Sequence, residues 1–230
     1  MTIAVILAAG SGTRMGRQTP KQLIEVGGQT LLEHSINAFE QNGNIDEIAV
    51  VTKEDFFPLV SSLIEKNGYH KVRKLLKGGK ERYDSSLAAI NAYPDGDDCL
   101  FLHDCVRAGV SQDIIDSCAN ALQTFDAVEV GIEPTDTVVA IGDDGCITDI
   151  PVRSMMRNGQ TPQCFRRHII KKAFDIALQD PAFKATDDCG VVHKYLPEVK
   201  IYVAPGEQDN FKITYKEDIE RFEKLLAARS

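Results

Sequence analysis

AVILAAGSGTRMGRQTPKQ, residues 4–22, begins as an apolar β-branched run, turns glycine-rich at Gly10, and reaches Pro20 before any helix can follow. A strand that empties into a loop of small, polar and basic residues, carrying Arg14 and Lys21, reads as the opening unit of a ligand-binding α/β sheet. The rest of the first half supports that reading. Short β-branched runs alternate with helical patterns through TLLEHSINAFEQ, EIAVVTK, FFPLVSSLIEKNG, KVRKLL, ERYDSSLAAINAY, CLFLHDC and SQDIIDSCANALQTF. This order predicts an α/β fold built on a mostly parallel, doubly wound sheet with helices on both faces. Ligands in such sheets bind beyond the carboxyl ends of the strands, which directs attention to residues 8–21, 78–85 and 103–107.

The chain has 230 residues, 43% of them hydrophobic, enough for one well-buried domain over 1–230 with an appendage. Its net charge of −8 argues against nucleic acid as a partner, because such a surface repels phosphate backbones. An anionic ligand must therefore be small and met by a local basic cluster. No apolar run approaches the roughly 20 residues that span a bilayer, and the N-terminus lacks a basic leader, so no membrane partner and a cytoplasmic location are expected. The six cysteines are scattered without a CxxC pair and read as reduced thiols.

The alternation breaks over residues 133–153, where EPTDTVVAIGDDGCITDIPVR reads as two strands joined by the turn Asp143-Asp144-Gly145. A lone hairpin cannot cover its own apolar face, so this β-arm predicts packing on a second copy and hence a homodimer. A helix near residues 167–179, a strand at VKIYVA, a short strand at NFKIT and a closing helix from Lys216 complete the expected order.

Gly10-Ser11-Gly12 after a strand suggests a dinucleotide fingerprint, but its third glycine position falls on Met15, and Pro20 interrupts the helix that motif requires. No GxxxxGK[ST] is present, which excludes a Walker A loop. Two readings remain: a nest of backbone amides, including those of Gly10 and Gly12, that cradles phosphate beside two cations, or a solvated surface loop.

LAAGSGTRMG followed by PKQ resembles the signature of sugar-nucleotide pyrophosphorylases, and the spacing from Arg14 to Lys21 resembles the branch that makes CDP-polyols from CTP. GGKERYDSSLAAI, HDCVR, GQTPQCF and DNFKIT are similar to further motifs of that branch, in the same order, over nearly the whole chain. The resemblance implies a Rossmann-like nucleotidyltransferase fold. It also implies attack by a polyol phosphate on the α-phosphorus of CTP with release of pyrophosphate, a reaction that needs alignment and charge neutralisation more than covalent help.

By that resemblance Arg14 and Lys21 stabilise the transition state, and Leu7, Ala8, Ala9 and Gly10 offer backbone contacts to the nucleotide. Gly78, Gly79, Lys80 and Ser85 hold cytosine, with Lys80 standing where family members often carry Asp; residues 81–84 read equally well as a plain helix N-terminus. Asp104 lies near ribose, triphosphate and magnesium, Mg2+ being the implied cofactor. His103 is expected to be structural. Arg107 matches a family arginine, although Ala108 replaces the more usual Pro. Arg153 and Lys212, helped by Thr137 and Thr214, are the implied cations and hydroxyls for the polyol phosphate. Arg153 would enter the neighbouring subunit's site; alternatively it pairs with an acidic residue on the dimer surface. Asp187 and Asp188 read as a helix cap with a supporting role.

Two acceptors fit the resemblance. CITDIPVRSMMRNGQTPQCF, with Val152 before Arg153 and a Gly before QTPQ, favours D-ribitol 5-phosphate; AAG at the start and TDD at residues 186–188 favour 2-C-methyl-D-erythritol 4-phosphate. The expectation is ribitol 5-phosphate, with methylerythritol phosphate as the alternative. A silent nucleotide-binding dimer is a third reading, disfavoured because Arg14, Lys21, Asp104 and Lys212 are all present. A dehydrogenase is disfavoured by Met15.

Overall fold

The computed structural model describes residues 1–10, 20–94 and 96–229. Its first strand, β1 (Thr2–Leu7), is central, and Ile3, Ala4, Val5 and Ile6 are all fully buried. Because side chains alternate across a strand, Ala4 and Ile6 enter one core and Ile3 and Val5 the other. That is why the run reads as continuously apolar rather than alternating.

A small hairpin, β2 (Glu25–Val26) with β3 (Gln29–Thr30), leads into α1 (Leu31–Glu40). The sequence then runs through β4 (Glu47–Thr52), α2 (Phe57–Asn67), β5 (Val72–Lys77), α3 (Arg82–Asn91), β6 (Cys99–Asp104), α4 (Gln112–Ala121) and β7 (Ala127–Ile132). After β8 (Ala140–Ile141) and β9 (Ile147–Asp149) come β10 (Asn158–Arg166), α5 (Arg167–Ala177), α6 (Asp188–Tyr195), β11 (Ile201–Pro205) and α7 (Lys216–Arg229).

Seven strands form one sheet in the order β11-β7-β10-β6-β1-β4-β5. β1 pairs in parallel with β4 and β6, β4 with β5, and β7 with β11. Within that sheet β10 runs against its neighbours, wedged antiparallel between β6 and β7. Leu32, Ile36 and Phe39 of α1 and Ile114, Ile115 and Cys118 of α4 cover one face. Ala89 and Ile90 of α3, Ala173 and Phe174 of α5, and Val191 and Val192 of α6 cover the other. The doubly wound α/β expectation therefore holds. A smaller core beneath α7 joins Val26 and Leu31 to Ile213 and Phe222.

The arm forms where expected. β8 and β9 pair antiparallel, and Gly145 turns the chain at φ +78°, a left-handed conformation that a side chain resists. Val139, Ile141, Ile147, Ile150 and Val152 stay exposed along it. The NFKIT stretch is different from the expected strand: residues 210–214 form no ladder. Point anchors replace it. Asn210 is fully buried and donates through Nδ2 to the Thr161 carbonyl at 2.8 Å, while the Ile213 amide donates to the Val106 carbonyl at 2.9 Å. No helix among the described residues is long and apolar enough to cross a membrane. The six cysteines are free thiols, five of them buried and Cys146 exposed.

The entry into α1 is closed by a reciprocal cap: the Glu33 amide donates to Thr30 Oγ1 at 3.1 Å, and the Thr30 amide donates to Glu33 Oε2 at 2.7 Å. Thr30→Ala is expected to lower stability by about 1 kcal/mol in urea denaturation. An unchanged midpoint would show that the α1 entry is held by packing alone.

Candidate active site

A cleft of about 590 Å³ opens at the carboxyl ends of β1, β4, β5 and β6. Leu7, Ala8, Ala9 and Gly10 form its floor. The Ala8 amide donates to the Val51 carbonyl at 2.7 Å and the Cys105 amide to the Leu7 carbonyl at 3.1 Å, so the floor continues the sheet. Lys21, in a short 3-10 turn (Lys21–Leu23), lines one wall with Gln22. Gly12 and Arg14 lie outside the described residues.

The opposite wall is the start of α3. A Cβ on Gly78 would sit 2.2 Å from Ala9 Cβ, and one on Gly79 would sit 2.1 Å from Asp84 Cβ. Glycine is thus required here by close packing of chain on chain. Gly79, Lys80 and Ser85 line the cleft. Glu81 caps α3, and its own amide donates to Asp84 Oδ2 at 2.8 Å, as a helix N-terminus predicts.

Asp104, at the end of β6, is the electrostatic centre. Its Oδ1 accepts from Arg82 Nε at 3.1 Å and its Oδ2 from Lys212 Nζ at 2.8 Å. Burial pushes this carboxyl up, but the charges of Arg82, Lys212 and Arg107 outweigh it and hold the group well below the usual carboxylate range. Arg82 is shared: its NH1 lies 2.5 Å from Oδ2 of the fully buried Asp188. Burial opposes the Arg82 charge, yet the two carboxylates raise its pKa above the ordinary value. Behind Asp104, Thr161 Oγ1 accepts from the Asp104 amide at 3.0 Å and lies 3.0 Å from His103 Nδ1. His103 Nε2 meets the Arg107 carbonyl at 3.2 Å, which assigns the ring proton to Nε2 and makes Nδ1 the acceptor. Burial pushes His103 down to about 4, so it is neutral and structural, as expected from the sequence.

Several predicted site residues sit elsewhere. Arg107 does not line the cleft; it donates to the Asn210 carbonyl at 2.9 Å and the Gly159 carbonyl at 3.3 Å, tying two loops together. Thr214 Oγ1 donates to the Lys212 carbonyl at 3.1 Å and its amide to Asp218 Oδ2 at 2.7 Å, so it fixes Lys212 from behind. Arg153, on the exposed return of the arm, donates to the Thr135 carbonyl at 3.1 Å and lies 3.9 Å from Glu133. Neither it nor the exposed Thr137 lines the cleft of its own chain. Asp187 is the cap of α6, accepting from the Gly190 amide at 2.6 Å.

Arg82, Lys53 and Gln22 line the cleft although their sequence context did not single them out. One signal was available for Arg82. A cation in the first turn of a helix opposes the dipole, so an arginine there calls for a partner elsewhere.

A sheet of this topology with an ionised carboxylate between two cations at its strand ends is suited to binding a phosphorylated nucleotide. Comparison with known proteins narrows the class. Residues 2–228 match the family described as "IspD: 2-C-methyl-D-erythritol 4-phosphate cytidylyltransferase". A 2-C-methyl-D-erythritol 4-phosphate cytidylyltransferase from Thermobifida fusca is 40% identical over 229 residues, 97% of this chain and 92% of that protein. A bifunctional ribulose 5-phosphate reductase/CDP-ribitol pyrophosphorylase from Haemophilus influenzae is 38% identical over 99% of this chain but only 48% of its own length. The crystal structure of 4-diphosphocytidyl-2C-methyl-D-erythritol synthase from Anaerococcus prevotii superposes with a TM-score of 0.88 at 30% identity, covering 98% of this chain and 96% of that one. The protein is a nucleotidyltransferase, a cytidylyltransferase acting on a polyol phosphate. The chain belongs to the IspD family.

Because Arg82 lowers the Asp104 pKa, Arg82→Met should raise it and start the loss of the ionised form at higher pH. The ratio of variant to wild-type rate, which cancels substrate ionisation, should therefore fall on acidification from about pH 7 to about pH 4.5. A ratio independent of pH would show that Arg82 does not hold the Asp104 charge.

Proposed function

We propose that the protein transfers CMP from CTP to 2-C-methyl-D-erythritol 4-phosphate and releases pyrophosphate. What carries this reading is the family match across residues 2–228, joined to a 40% identical relative covered almost end to end. The ribitol expectation is set aside in favour of its alternative. The ribitol-phosphate relative is shared over only about half its length, in a protein with a second activity.

In the proposed reaction an oxygen of the acceptor phosphate attacks the α-phosphorus of CTP in line with the departing pyrophosphate. The acceptor is itself the nucleophile. Cys105, a thiol lining the cleft, is pushed up by burial and stays protonated. Small side chains at Ala8, Ala9 and Gly10 let the nucleotide approach backbone, and Gly78, Gly79, Lys80 and Ser85 frame the place for cytosine. Lys21 places positive charge where the phosphoryl oxygens gather charge in the transition state, and Arg14 is assigned the same work. Lys212 stays on Asp104 while offering its remaining hydrogens to phosphate.

Asp104 fits magnesium. Each carboxylate oxygen accepts one hydrogen bond and keeps a lone pair, and the cleft has room for phosphate oxygens and water to complete a coordination shell. When bound, the ion neutralises charge on the triphosphate. Arg153 and Thr137 are assigned to the acceptor phosphate of the neighbouring subunit, with Thr214 supporting Lys212. The uncovered apolar arm supports this homodimer.

With CTP and each polyol phosphate in turn, pyrophosphate release should be faster with the methylerythritol compound; equal or greater use of ribitol 5-phosphate would reverse the acceptor assignment. Arg14→Ala and Lys21→Ala should each lower turnover about 100-fold or more while CTP binding stays within a few-fold. Mixing inactive Arg153→Ala and Lys21→Ala proteins should restore activity towards about one quarter of wild type, since half of randomly paired dimers then carry one intact site. No recovery despite subunit exchange would eliminate the shared site.

A further inference from the structure

Asp188 lies outside the cleft lining, yet it is fully buried and is joined to the reacting region through the Arg82 side chain. It occupies the first turn of α6, where the helix dipole favours an acid, and Asp187 caps the same turn. Its amide donates to Gln163 Oε1 at 3.0 Å, and Gln163 Nε2 in turn donates to Glu129 Oε1 at 3.2 Å. Asp188 is thus fixed to both α6 and the sheet. Its Oδ2 holds Arg82 NH1 at 2.5 Å, and the same guanidinium reaches Asp104 Oδ1 through Nε at 3.1 Å.

The contact with Asp104 is one-point, although arginine prefers a two-point fork on a carboxylate. A fork would occupy both Asp104 oxygens and compete with Lys212, which holds Oδ2 at 2.8 Å. We propose that Asp188 is a positioning residue for Asp104: by anchoring one end of Arg82, it restricts the guanidinium to a single Asp104 oxygen. Lys212 then keeps the other oxygen, and each retains a lone pair for the substrate complex. The kinetic consequence rests on the proposed cytidylyl transfer; the geometric one does not.

The test is a cycle of full-length variants: Asp188→Asn, Arg82→Met and the double variant. Asp188→Asn should lower kcat/KM about 10- to 100-fold in the wild-type background, as loss of a group orienting a ligand typically does. In the Arg82→Met background the same substitution should change it less than about 2-fold, because the intermediary is gone. Equal losses in both backgrounds would mean that Asp188 acts through α6 packing and would overturn the proposal. No loss in the wild-type background would overturn it too. Should Asp188→Asn fail to fold alone, the double variant compared with Arg82→Met still tests the proposal, since a further loss there cannot run through the guanidinium and would overturn it.

The same cycle extended to Asp104→Asn and read by urea denaturation needs no substrate. Coupling between positions 188 and 104 should be present while Arg82 is in place and, in the Arg82→Met series, should change to the mutual repulsion of the two carboxylates alone. Coupling of unchanged sign and size without the guanidinium would overturn the relay. If the wild type released no pyrophosphate with either acceptor, the proposed function would fall while this second measurement still tested the geometry.

Discussion

The guanidinium of Arg82, held between Asp104 and Asp188, is the interaction on which the site depends. Its two partners come from β6 and α6, while Arg82 itself opens α3, so one side chain joins three elements beside the cleft. Lys212 adds a fourth, from the segment leading to α7. Taking such charges out of water is costly, and removing one partner of a buried pair typically costs about 3–5 kcal/mol because the other is left uncompensated. The network is therefore retained for its geometry: an ionised carboxylate, pinned by cations and facing a space for phosphates.

That space exists because backbones come unusually close around it. Gly78 and Gly79 leave no room for a Cβ against Ala9 and Asp84, so α3 can start directly beside the end of β1. Asp104 is steadied from behind by Thr161, which accepts from its amide and is itself oriented by neutral His103. Arg107 and Asn210 then tie the segment carrying Lys212 to β10 and its neighbours. Among the described residues, the cleft walls are thus fixed by packing and hydrogen bonds, which suits a reaction whose catalysis is mainly alignment.

The arm answers to a different constraint. Ile141, Ile147 and Val152 expose apolar surface that two short strands cannot bury, and Arg153 at its base pairs only loosely within its own chain. The proposed second copy accounts for both features with one contact, covering the arm and bringing a further cation to the cleft.

The sequence by itself determined the sheet, the two-faced core and the hairpin, because these follow from local periodicity and turn chemistry: the continuous apolar run of β1, the capped helices, and Gly145 in a left-handed turn. Its ordered motifs also determined the family, and they singled out Lys21, Asp104 and Lys212 as cleft residues. Only the tertiary structure decided how the charges are matched. Arg82 and Asp188 are 106 residues apart and Lys212 and Asp104 108 apart, and nothing in local spacing announces such partners. It likewise took Arg107 out of the cleft and replaced a predicted strand at residues 210–214 with anchored loop. The physical reason is common to all: a side chain's charge is written in the sequence, but its partner is chosen by which strand ends and helix starts the sheet brings together.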